Sequence, residues 1–131
     1  MAAPTGTVGK LVSRDVEPAA LRPLLEHPPR ASLAFIDRDR ADLLPVRYRL
    51  QGEAHLIGVA GDVPAAIDGR EVVLVIDDGA YWFELRGISF RGIASRIEPP
   101  NGAEPECAWY VIAPRRAIAW DYAAIRDVSQ C

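Results

Sequence analysis

Glu71–Ile97, EVVLVIDDGAYWFELRGISFRGIASRI, is the stretch that decides the fold. It opens with five consecutive apolar residues, Val72 to Ile76, most of them β-branched. A short apolar run closed by a turn signal fits a strand buried on both faces. Asp78-Gly79 follows, and an Asp-Gly pair between apolar runs predicts a tight hairpin, because both central residues of a type I′ turn need positive φ. The expected return strand carries Tyr81, Phe83 and Leu85 on one face. After Gly87 the apolar phase switches to Ile88, Phe90 and Ala94. A one-residue slip at a glycine predicts a β-bulge there; a plain turn at Arg86-Gly87 is the alternative. A long bent strand paired with a buried one is the spine of a small barrel.

The chain has 131 residues, half of them apolar and a quarter charged, with a net charge of −3. That length supports one core, and the composition is ordinary for a globular domain. Residues 1–15 read as a flexible lead-in and 16–131 as a single domain. The basic residues form no stripe, which argues against a nucleic-acid partner. No run approaches the ~18 apolar residues a membrane helix needs, and the first fifteen residues lack a signal-like apolar segment. A cytoplasmic protein is the expectation, with Cys107 and Cys131 as reduced thiols.

Around that spine, Val16 to His27 has helical spacing, with Leu21, Leu24 and Leu25 on one face, Asp15 as a possible cap and Pro28-Pro29 as the stop. Strands are expected at Ala31–Asp37, Leu43–Leu50 and Ala54–Ala60, with a polar turn over Arg38–Asp42. Asp62 to Ala66 suits one short helical turn. A sixth strand runs from Cys107 to Ala113, Pro114 interrupts it, and Arg116–Trp120 forms another. Tyr122–Val128 reads as a weak terminal helix. Six or seven short strands with a helix at each end predict a mainly β fold: an antiparallel six- to seven-stranded split β-barrel with short flanking helices. An open sandwich is the alternative; a barrel removes exposed edges.

No catalytic constellation stands out. His27 and His55 have no partners at metal-ligand spacing, so no metal site is expected, and no nucleophile elbow or phosphate loop is present. The arginines inside strands are more informative: Arg47 and Arg49 share one face of the second strand, and Arg86 and Arg91 lie on the fifth. A strand-interior arginine needs solvent, a carboxylate such as Glu53 or Glu84, or an anionic ligand. Trp82, Trp109, Trp120 and Tyr122 add rings that either fill the core or an interface, or help to form a pocket for a flat phosphorylated cofactor.

In order and spacing these elements resemble the pyridoxamine 5′-phosphate oxidase-like family of flavin-binding split β-barrels. The likeness rests on VEPAALRPLLEHPPR, the ASLAFID and LLPVRYRL strands, EVVLVID, DDGAYWFELRG with the RGIAS that follows, and AWDY, and it covers about Val16 to Arg126. It implies a homodimer with two flavin mononucleotide (FMN) sites at the subunit interface, and a flavin-dependent oxidoreductase. It places Val46, Arg47, Tyr48 and Arg49 on the cofactor-facing second strand, Ala60 and Gly61 at the connector after the third, and Trp120 at an aromatic position near the cofactor. The sequence departs from the family where relatives grip the phosphate. There it reads Gly61-Asp62-Val63-Pro64, and Asp62 repels an anion. This departure leaves room for a deazaflavin or haem, or for a non-catalytic binding protein that holds a flat ligand for sensing or storage.

Overall fold

The computed structural model describes residues 12–13, 15–61, 67–123 and 126–127. Val12–Ser13 (β1) pairs with Arg126–Asp127 (β10), apart from the main sheet. Asp15–Val16 (β2) leads into a 3₁₀ turn at Pro18–Leu21 and a short helix, Arg22–Glu26 (α1). Then come Arg30–Asp37 (β3), Arg40–Pro45 (β4), Arg47–Gln51 (β5), Ala54–Ala60 (β6), Glu71–Asp78 (β7), Arg86–Ile97 (β8) and Cys107–Asp121 (β9). The main sheet runs β4-β3-β7-β8-β9-β6-β5 with every pairing antiparallel, and β2 adds to β9. The expected antiparallel β architecture is what forms.

The sheet curls because one stretch of chain serves both of its ends. β4 pairs with β3, and β5, directly after it, pairs with β6. At the joint, the Val46 N–H donates to the Ala31 carbonyl across 3.0 Å. The expected single strand Leu43–Leu50 is thus two strands that exchange partners at Val46. Pro45, which has no N–H to give a ladder, sits at the end of β4.

Alternation along the strands fills the interior. Leu33, Ile57, Val72, Leu74, Ile76, Ile88 and Ile112 point inward and are fully buried. Each such side chain stabilises the fold by roughly 1.5–3 kcal/mol relative to exposure. Leu21, Leu24 and Leu25 cover one mouth of this core, as their spacing predicts. The expected helix over 16–27 is shorter, however. Asp15 lies in β2 rather than at a cap, Pro18 favours a tight first turn, and only Arg22–Glu26 is α-helical.

Turn chemistry produced the other differences. The tight hairpin lies not at Asp78-Gly79 but between β3 and β4, where Arg38 and Asp39 both adopt positive φ, 50° and 68°. Asp78 extends β7 instead and holds Arg86 through Nε and Nη2, each at 2.9 Å. Residues 79–85 form a loop with a 3₁₀ turn at Trp82–Glu84, so Tyr81, Trp82 and Phe83 are exposed rather than on a return strand. β7 and β8 pair without a slip through Gly87. The bulge falls elsewhere: Arg91 pairs with Arg116 and Gly92 with Pro114, leaving Arg115 as the extra residue on β9. Pro114 does not end that strand, because it lies where β9 has left β6 and not yet met β2. The expected turn at Asp62–Ala66 lies outside the described residues. Of the expected terminal helix, Tyr122–Ala123 is a turn, Arg126–Asp127 is β10, and the rest lies outside them.

A Cβ on Gly92 would run into the Ala113 backbone carbonyl, so the bulge depends on that glycine. Gly92→Ala is expected to destabilise the fold by about 1–3 kcal/mol, the scale of overpacking. Urea denaturation checks this; an unchanged midpoint would show that β9 relaxes freely around the bulge.

Candidate functional site

Strand alternation on β5 sends Val46, Tyr48 and Leu50 toward the core and Arg47 and Arg49 to the outer face. The same outer face carries Gly58 on β6, opposite Arg47, and Trp109 on β9, opposite Gly58. Gly58 is required there: a Cβ would lie 2.7 Å from the Trp109 ring. Without one, the indole lies flat against β6 and is 2% exposed. The Arg49 guanidinium stands 5.7 Å from the ring centroid, a cation–π arrangement.

These groups line a groove of about 310 Å³. Pro28, Pro29 and Arg30, at the start of β3, form one rim, and Glu104, from the β8–β9 connection, forms another. The groove is predominantly cationic. Arg47 pairs with Glu104 at 3.4 Å, and Arg49 donates to the Asn101 carbonyl at 2.8 Å. Arg30 is turned to Asp77 and the Gly79 carbonyl, at 3.0 and 2.9 Å. Three guanidiniums against one lining carboxylate suit an anionic ligand, and the buried Trp109 indole backs the arginines. The Trp109 Nε1–H is buried and has no hydrogen-bond partner among the described residues. A buried donor left in that state is costly.

Behind the groove, the Tyr48 hydroxyl meets His55 Nδ1 at 2.6 Å, and the His55 ring packs 4.2 Å from that of Phe90. Burial pushes the Tyr48 phenol well above its usual range and the His55 imidazole below its own, the latter opposed by Glu53 and reinforced by Arg22. Which of the two donates is set by the His55 tautomer. This bond fixes the residue between Arg47 and Arg49, and so the direction in which both guanidiniums leave the strand.

Of the residues singled out in the sequence, Val46, Arg47, Tyr48 and Arg49 come together at the groove. Ala60 and Gly61 do not line it; they lie past Gly58 at the end of β6, Ala60 opposite Cys107. Trp120 is near the other end of β9, packed over Gly87 and opposite Asp15, and does not line this groove within one chain. The sequence reading missed Arg30, Glu104 and the prolines at the rim; of its two alternatives for Trp109, filler or pocket ring, the burial of the indole fits the first, although the residue also lines the groove. A signal was available for Trp109: a lone glycine in an apolar strand marks a close approach.

No protein-family model and no curated protein matches this sequence. Solved structures share its fold. An FAD-binding protein from Mycobacterium smegmatis aligns with a TM-score of 0.64 at 14% identity, over 82% of this chain and 98% of that one. An FAD- and haem-binding protein from the same organism gives 0.65 at 12%, over 82% and 73%. A candidate pyridoxamine 5′-phosphate oxidase from Corynebacterium glutamicum gives 0.63 at 13%, over 83% and 96%. The fold is that of the pyridoxamine 5′-phosphate oxidase-like split barrels.

The Tyr48–His55 pair makes stability depend on pH. A histidine whose folded pKa lies below its unfolded value of about 6.5 stabilises fully above that value. The contribution is lost as pH falls from there toward the folded pKa, because the unfolded chain then binds the extra proton. Urea midpoints measured from pH 7.5 down to 5 are expected to fall, and His55→Gln to flatten the profile. An identical slope in the variant would remove His55 as the source.

Proposed function

We propose that the groove is a flavin site and that the chain is an FMN-binding oxidoreductase acting as a homodimer. The observation that carries this reading is the outward pair Arg47 and Arg49 beside the flat Trp109 indole, on a fold shared with flavin-binding proteins. A planar guanidinium matches phosphate oxygens two at a time, which a lysine does not. Arg47, exposed at the mouth, would take the phosphate. The proline rim would flank a ring system, with the Trp109 indole buried beneath. When bound, a flavin supplies the electron or hydride chemistry, and the protein contributes orientation and charge.

The dimer has support of its own. The outer faces of β3, β4, β7, β8 and β9 carry Leu43, Ala34, Val73, Arg91 and Arg116 in one row and Pro45, Ser32, Val75, Ser89 and Ile118 in the next. Leu43 is 69% exposed and Ile118 42%, and with Ile36 they are exposed apolar side chains on a face that also carries Arg91 and Arg116. Such a face is covered by a partner in stable proteins. Binding without turnover, of a flavin, a deazaflavin or another flat ligand, is the second reading. Asp62 favours it, since it follows β6 where an anion would be repelled.

The visible spectrum of the purified protein, then titration with FMN and anaerobic addition of a reduced nicotinamide, tests these readings. A yellow complex bleached by the nicotinamide supports the oxidoreductase; tight binding without bleaching supports the binding protein; no flavin binding ends both flavin readings. Arg47→Ala is expected to weaken FMN binding by roughly 1.5–3 kcal/mol, the scale of a charged hydrogen bond. Unchanged affinity would take Arg47 out of the site. Light scattering is expected to give twice the 14.3 kDa chain mass, and Ile118→Asp to reduce it to one. A wild-type monomer would end the dimer reading.

A further inference from the structure

We infer that residues 98–106, between β8 and β9, are an acidic strap that competes with a ligand's phosphate for the groove arginines, and that Glu104 thereby raises the charge a ligand must bring to hold them. This rests on the flavin reading of the groove. The strap reads Glu98-Pro99-Pro100-Asn101-Gly102-Ala103-Glu104-Pro105-Glu106: three glutamates, three prolines and no basic residue. It lies beside the groove arginines Arg47 and Arg49. Its Glu104 carboxylate pairs with Arg47, its Asn101 carbonyl accepts from Arg49, and Ala103 packs on the small cluster around Trp109. Two short internal bonds hold its shape, Ala103 N–H to the Pro100 carbonyl and Cys107 N–H to the Glu104 carbonyl. The strap therefore carries an anion to the position where the ligand's anion would go.

The competition is uneven by charge. Arg47 and Glu104 are 61% and 37% exposed, and ion pairs of that kind are weak. A phosphate monoester carries ~1.5 to 2 negative charges and three acceptor oxygens, so it outcompetes one carboxylate at the same guanidinium. A neutral ligand gains nothing from Arg47 and has no means of displacing Glu104. The prolines matter because they limit how far the strap can collapse elsewhere once released. Glu104 thus acts as an internal competitor for Arg47, and its removal should help charged ligands alone.

The test compares wild type with Glu104→Gln, which keeps size and removes charge. FMN and riboflavin, which share a ring system and differ by the phosphate, are titrated by flavin fluorescence; inorganic phosphate is titrated by calorimetry. Glu104→Gln is expected to bind FMN about five-fold more tightly, the fold-change of a single weak ion pair, with riboflavin unchanged and inorganic phosphate also tighter. Equal FMN affinity in the two proteins, or an equal gain for riboflavin, overturns the inference while leaving a flavin site in place. Should neither flavin bind, the flavin reading fails and the phosphate arm decides: tighter phosphate in the variant sustains the strap, and identical phosphate affinity overturns it.

Discussion

The hydrogen bond from Val46 N–H to the Ala31 carbonyl closes the molecule. It marks the point where a strand leaves β3 and joins β6, which turns a flat meander into a curled sheet with few free edges. The residues just beyond it are those that line the groove. A strand leaving a corner must keep its alternation, so core-facing Val46 and Tyr48 dictate outward Arg47 and Arg49. A slip of one residue would bury two guanidiniums and expose two core side chains. The burial of Leu33, Ile57 and Leu74 thus fixes the register of the site, although none of them touches it.

The long strand β9 serves as the second fixed element. Its first half pairs with β6 and places Trp109 over Gly58; its second half pairs with β2 and places Trp120 over Gly87. In both cases an indole lies where a glycine leaves room. The bulge at Arg115 lies between the two halves, and Pro114 is tolerated because that edge of β9 has no partner there. The strand can therefore bend between two neighbours without losing its pairing to β8.

This arrangement explains what could be read from the sequence. Strand positions follow from alternation and from β-branched runs such as Val72–Ile76, which act locally. The arginines on β5 were legible for the same reason. The Asp78-Gly79 hairpin was misread because a local turn preference lost to a longer-range pairing: Asp78 is held by Arg86 at the far side of the loop. Conversely, Arg38-Asp39 makes the tight turn without a glycine because β3 and β4 are pinned by six paired positions. Trp109 and Glu104 could not be assigned from spacing. Their place depends on which residue of β6 faces which residue of β9, a register set by burial across the whole sheet.

The groove's electrostatics carry a wider consequence. A cationic groove on a chain of net charge −3 has to be kept from binding any passing anion, and the usual solution is a partner charge nearby. Here the chain places that charge on a connection outside the barrel, where it can move without disturbing the core. The Tyr48–His55 bond works in the opposite sense, since it holds the arginine-bearing strand rigid from behind. A site with fixed cations and a movable anion separates the two demands of recognition. The fixed part sets where a ligand's charge sits, and the movable part sets how much charge that ligand must bring.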